Sequence, residues 1–177
     1  MALRRQIPMA LFALAAADVP AVTIVYQGTL SGSNESPPVT SAGIGKVVLT
    51  YSTVNYMLRV QTSFSGLGAG ATVAHIHCCT SAGQLTASVA TMTPSFSGFP
   101  AGVTAGTYDQ TFDMSLASSY NAAFITANGG TASAALGVLL AGIANGTAYF
   151  NIHTTDHPAG EIRAPIVVDT IFGDGFD

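Results

Sequence analysis

Three histidines on two predicted strands have the residue types and the spacing to do chemistry. His75 and His77 lie in Val-Ala-His-Ile-His, and His153 lies in Tyr-Phe-Asn-Ile-His. Successive side chains of a strand point to opposite faces, so His75 and His77 share one face. If the two strands are neighbours, the three imidazoles converge. The cluster would then be either a metal site or a polar patch held by hydrogen bonds, and the sequence leaves both open.

A His-x-His pair on one strand face offers two metal ligands, and imidazole suits copper, zinc and iron. A third histidine from an adjacent strand would complete three protein ligands and leave a position for water or a substrate. Copper is the first candidate for a cofactor. A copper redox enzyme is an alternative to simple binding. The sequence favours a binding module over an enzyme, since no nucleophile-base order, phosphate loop or carboxylate pair stands out.

Polar residues near His153 are candidates for a supporting patch. Asn151 shares the face of His153, and Glu161 and Arg163 lie two residues apart, so they share a face with each other. Glu161 could orient an imidazole by accepting its second N–H. Alternatively, Glu161 and Arg163 form an ion pair that fixes the register of the strands, and this interpretation is favoured. Arg163 is expected near His153.

The two cysteines are adjacent, Cys78 and Cys79, and follow His77 directly. They could form a vicinal disulfide, remain as thiols, or bind a soft metal. Consecutive side chains at a strand end point to opposite faces, so both sulfurs could join the imidazoles only through a sharp turn. A disulfide or a pair of buried thiols is therefore favoured over metal ligation.

The composition predicts one secreted domain. The chain has 177 residues, of which 8% are charged, and a net charge of −4 with five basic residues, which argues against nucleic acid as a partner. Residues 1–21 are predicted to be a signal peptide, because Arg4 and Arg5 precede a short apolar run that is too short to span a bilayer. We therefore expect a periplasmic, extracellular or cell-surface protein with no transmembrane segment in the mature chain.

Alternating apolar residues predict an all-β fold, an antiparallel β-sandwich or barrel with a short helical insert. The domain is predicted over residues 22–168, and residues 169–177 form a C-terminal tail. Strands are expected at residues 22–30, 46–51, 56–64, 72–77, 85–91, 107–114, 147–153 and 161–168. Two short helices are expected in residues 115–127 and 131–144, the second with Thr131 as its N-cap.

Three segments together resemble the CHRD domain, a module first described in chordin and widespread in secreted bacterial proteins. They are Asn-Glu-Ser-Pro-Pro-Val at 34–39, Ala-His-Ile-His at 74–77, and 151–163, which runs from Asn-Ile-His-Thr to Gly-Glu-Ile-Arg. In many members Gly-Pro follows the His-Ile-His, whereas here Cys78 and Cys79 do. The resemblance implies an immunoglobulin-like or superoxide-dismutase-like β-sandwich in a secreted protein, and little about activity.

The partner is left open by both the residues and the resemblance. An unidentified extracellular protein could bind the histidine patch. The alternative is a structural protein of the cell surface or matrix that self-associates, which the low charge and the many small residues favour.

Overall fold

The computed structural model describes residues 22–169. The predicted signal peptide, residues 1–21, lies outside the described residues, and so do residues 170–177 of the predicted tail. Eight strands form the body of the domain. They are β1 (Thr23–Ser31), β2 (Ile44–Ser52), β3 (Met57–Ser65), β4 (Ala71–His77), β5 (Gly106–Asp113), β6 (Tyr149–Thr154), β7 (Ile162–Pro165) and β8 (Val167–Val168).

All eight strands belong to one antiparallel sheet, in the order β4-β6-β7-β1-β2-β3-β5, with β8 paired to β1. The sheet curls into a half-barrel. This confirms the predicted all-β antiparallel fold, which was expected as a sandwich or a barrel and which takes the form of a half-barrel. The order also places β4 beside β6, although more than seventy residues separate them in the chain.

The helical insert is confirmed between β5 and β6. Its helices are α1 (Ala122–Ala127) and α2 (Ala132–Ala144), and single 3-10 turns lie at Gly32–Asn34 and Ala117–Ser119. The Thr131 side chain accepts a hydrogen bond from the Ala134 N–H and so caps α2. Leu136, Leu139 and Ile143 of α2 are buried in the hydrophobic core.

The inside of the half-barrel is lined by alternate residues of the longer strands. In β3, Leu58 and Val60 are buried whereas Arg59 between them is exposed. In β4 and β6 the fully buried Ile76 and Ile152 point into the core. The period of two therefore sends the histidines on these two strands to the opposite face of the sheet.

Residues 85–91 do not form the predicted strand. They make only isolated bridges, such as the one between Val89 and His77. The reason is that their backbone carbonyl groups accept hydrogen bonds from side chains of the histidine site and from the end of β4, and so do not form a continuous ladder with a neighbouring strand. Leu85 accepts from Arg163, Ala87 from His77, and Ser88 from the Cys78 N–H.

Among residues 22–169, no helix has both the length and the apolar character needed to cross a membrane.

Candidate metal centre

The register of β4 and β6 brings the three predicted histidines to one place on the sheet. His75 lies opposite Asn151, His77 lies opposite Tyr149, and His153 lies opposite Val73. All three imidazoles are on the face that points away from Ile76 and Ile152. Each offers one nitrogen, and these three nitrogens lie within 4.8 Å of one another.

The cluster is buried, although it lies outside the core of the half-barrel. His75 is 5% exposed, and His77 and His153 are each 8% exposed. The ring centroids are separated by 5.5 to 5.8 Å. Loop segments that follow the two strands contact the rings on this face, so the histidines form an enclosed site instead of an open patch.

Each imidazole is fixed by one backbone carbonyl from such a loop. Nε2 of His75 donates to the Pro94 oxygen at 2.6 Å, and Nδ1 of His77 donates to the Ala87 oxygen at 2.8 Å. Nδ1 of His153 donates to the Pro158 oxygen at 3.0 Å. Since a carbonyl can only accept, the nitrogen that contacts it must carry the hydrogen. This fixes the tautomer and the orientation of every ring, as outer groups do for metal-binding histidines.

The other nitrogen of each ring has no partner. Within residues 22–169, the buried side-chain nitrogen and oxygen atoms without a hydrogen bond are Nδ1 of His75, Nε2 of His77 and Nε2 of His153. Leaving a buried polar atom unpaired costs about 1–3 kcal/mol. Three such atoms in one cluster, each with a free lone pair, form a ligand set that a metal ion would satisfy.

Burial favours the neutral form of the three rings. Desolvation lowers the pKa of His77 from its ordinary value of 6.5 to about 4, and it is also the main cause of the lowered pKa values of His75 and His153. The carbonyl hydrogen bonds raise these pKa values, but a neighbouring imidazole lowers those of His75 and His77 further, and Arg163 lowers those of His77 and His153. A neutral imidazole is the form that binds a metal.

Tyr149 and Arg163 flank the cluster on the side of β7. The Tyr149 ring stacks on His77 with centroids 4.8 Å apart and planes 6° apart. The guanidinium carbon of Arg163 lies 4.0 Å from the centroid of the same Tyr149 ring. Arg163 was expected near His153, whereas its observed ring contact is with Tyr149, which stacks on His77. Tyr149 itself was not singled out by the sequence, where it resembles an ordinary strand aromatic.

Glu35 is a second residue that the sequence reasoning missed, because segment 34–39 was considered only as part of the resemblance to the CHRD domain. Its carboxylate forms a buried ion pair with Arg163 at 3.0 Å and accepts a hydrogen bond from the Asn151 side chain. Burial is the main cause of its raised pKa, which Arg163 and Asn151 partly offset. The predicted patch residues Asn151 and Arg163 therefore belong to one network, and Glu35 joins them.

Glu161 does not take either of the predicted roles. Its carboxylate accepts hydrogen bonds from the hydroxyls of Ser41 and Thr154 and from the Gly68 N–H. The interpretations as a partner of Arg163 and as an acceptor for an imidazole are both corrected, because Arg163 pairs with Glu35 and carbonyl groups hold the rings. Glu161 instead ties the loops before β2 and β4 to the end of β6.

Cys78 and Cys79 form a vicinal disulfide at the end of β4. Their sulfurs lie 3.9 and 3.7 Å from the Val138 carbonyl oxygen of α2. A Cβ atom at Gly142 of the same helix would collide with both sulfurs. The pair thus packs on α2, and the histidine cluster of the described residues contains neither cysteine.

The fold and the site define a class of protein: a curled, antiparallel β domain with three histidines enclosed on the outer face of two neighbouring strands. The family model of the CHRD domain matches residues 26–166. The chain therefore belongs to the CHRD family, as the three sequence segments indicated, and this membership points to an extracellular module. Neither the curated proteins nor the solved structures contain a significant match to the chain.

Proposed function

We propose that this protein is a secreted CHRD module that binds one transition-metal ion, copper first, through His75, His77 and His153. The observation that carries the proposal is a cluster of three buried imidazoles, each of which keeps one unpartnered nitrogen and can offer one nitrogen within 4.8 Å of the others. Imidazole nitrogen binds copper and zinc well, and copper(II) forms the strongest complexes in the divalent series.

The alternative, a metal-free patch held by hydrogen bonds, fits these nitrogens less well. All three can only accept, because the hydrogen of each ring is already donated to a carbonyl oxygen. One water molecule has two hydrogens to donate, so it would leave one nitrogen unpaired. Protonation of a ring would supply a donor, but burial lowers the pKa of each histidine. A metal ion accepts three lone pairs at once.

Metal analysis tests the proposal. The protein is purified from the compartment of its natural host, and bound copper, zinc and iron are counted per chain. The metal-free protein is then titrated with copper. We expect one copper ion per chain in the unmodified protein and none in a folded His75→Ala, His77→Ala double variant.

The fourth histidine provides a matched control. His157 lies in the hairpin loop after β6, is half-buried, and is not part of the cluster. A His157→Ala variant should bind copper as the unmodified protein does. Equal copper binding by the double variant and the His157→Ala variant would contradict the proposal.

A further inference from the structure

The histidine cluster contains no anionic ligand. Among residues 22–169, the group of potential ligands at this place consists of three imidazoles, with no carboxylate or thiolate. Both glutamates of the chain are buried, and each is hydrogen-bonded to groups outside the cluster. Glu35 binds Arg163 and Asn151, and Glu161 binds Ser41, Thr154 and the Gly68 N–H. The ligands therefore leave the full charge of a bound ion uncompensated.

A cation lies on the same side of the site. The Arg163 side chain is only 7% exposed and stacks on Tyr149, the ring that stacks in turn on His77. Its guanidinium donates to the Glu35 carboxylate and to the Leu85 carbonyl oxygen, so its position is fixed. Its positive charge lowers the pKa values of His77 and His153, so it acts against positive charge at the cluster.

In a buried site without anionic ligands, the binding free energy of a metal ion depends strongly on the charge of the ion. The cost of moving an ion out of water grows with the square of its charge, and repulsion from a fixed cation grows in proportion to the charge. Desolvation and repulsion from the cation therefore both disfavour a divalent ion more than a monovalent ion in a buried site of neutral ligands. Copper is a transition metal that is available as a monovalent ion and that imidazole suits.

We infer that the three-histidine site selects copper(I) over copper(II) and zinc, and that Arg163 is a residue that sets this selection. The inference rests on the proposed function, since it concerns the ion bound at the same three histidines.

Competition titrations test the selection. The metal-free protein is titrated with copper(I) under anaerobic conditions against a copper(I)-chelating dye, and separately with copper(II) and zinc against suitable chelators. We expect the affinity for copper(I) to exceed that for either divalent ion by a hundredfold or more. Equal or stronger binding of a divalent ion overturns the inference but leaves the proposed function intact. Failure to bind copper in either oxidation state contradicts the proposed function itself.

Substitution tests the role of Arg163. Arg163→Met is combined with Glu35→Gln, so that neither charge of the buried pair is left alone. We expect the ratio of copper(I) to zinc affinity to fall by about threefold, less than the effect of one full charge, because the opposite charge of Glu35 is removed together with that of Arg163. The matched control is Arg59→Met. Arg59 is an exposed residue of β3 that pairs with Asp109 of β5, and these two strands lie at the opposite end of the sheet from β4 and β6. An unchanged ratio in the double variant would show that Arg163 does not set the selection. If the double variant does not fold, the titrations of the unmodified protein still decide whether the site prefers copper(I).

Discussion

His77 and Ala87 are joined by a hydrogen bond of 2.8 Å from the imidazole to the backbone carbonyl. Tyr149, which stacks on His77, reaches the same residue: its hydroxyl accepts from the Ala87 N–H at 3.1 Å and lies 3.3 Å from the Ala87 oxygen. Leu85, two residues earlier, is held by Arg163. Hydrogen bonds from His77, Tyr149 and Arg163 thus hold the loop after β4 against the cluster.

This attachment predicts that the Tyr149 hydroxyl slows metal exchange. A Tyr149→Phe variant keeps the ring that stacks on His77 but loses both contacts to Ala87. Each such hydrogen bond contributes on the order of 1 kcal/mol, so we expect copper transfer to a chelator to become about tenfold faster. Stopped-flow absorbance of the copper–chelator complex measures the rate.

The control for this variant is Tyr120→Phe, which also removes one buried hydroxyl. Tyr120 donates to the Met114 carbonyl oxygen near the helical insert and makes no contact with Ala87. Transfer rates that are the same in the two variants would show that the loop attachment does not control exchange.

The lowered histidine pKa values predict how the stability of the metal-free protein depends on pH. In the unfolded chain an imidazole titrates near pH 6.5, whereas the pKa of His77 in the fold is about 4. Below pH 6.5 the unfolded state takes up protons that the folded state does not. The free energy of unfolding therefore falls as the pH drops from about 6.5 to about 4, and His77 accounts for about 3 kcal/mol of that fall.

Denaturant unfolding of the metal-free protein at a series of pH values measures this dependence. Replacing His77 by Gln removes one of the titrating groups, so the fall in stability between pH 6.5 and 4 should become shallower. If the His77→Gln variant retains the slope of the unmodified protein, the buried imidazole of His77 is not its cause.

The sequence was sufficient to predict where the three histidines point. The alternation of β4 and β6 follows from the pattern of apolar residues, and the face of His75, His77 and His153 follows from that alternation. Neither the burial of the rings nor their tautomers could be predicted. The carbonyl groups of Ala87, Pro94 and Pro158 determine both, and these residues lie in irregular segments that have no periodicity to interpret.

The partner of Arg163 could not be predicted for a different reason. Sequence proximity pointed to Glu161, two residues away, but the actual partner is Glu35, which is 128 residues distant. The contact depends on β7 pairing with β1, whose end leads directly into the loop that holds Glu35. Side-chain alternation gives the face of a residue but does not identify which distant loop folds onto that face.

The buried pair of Glu35 and Arg163 predicts a large effect on stability when one partner is removed. In a Glu35→Gln variant the side chain can still accept from Asn151, but the buried guanidinium loses its counter-charge. We expect the free energy of unfolding to fall by about 3–5 kcal/mol, and most of this loss to be recovered when Arg163→Met is added. Chemical denaturation of the metal-free variants measures both values.

The exposed ion pair of Arg59 and Asp109 is the comparison. These side chains are 50% and 48% exposed, so water and salt screen their attraction, and an Asp109→Asn variant should lose much less stability than the Glu35→Gln variant. A loss of similar size in the Glu35→Gln and Asp109→Asn variants would contradict the role assigned to the buried network.

X-ray absorption spectroscopy of the copper(I)-loaded protein tests the central claim most directly, because it counts the atoms that surround the metal. We predict scattering from three imidazole rings and none from sulfur, since Cys78 and Cys79 pack on α2 as a disulfide. A first shell that contains sulfur, or one with fewer than three imidazole rings, would contradict a metal centre formed by His75, His77 and His153.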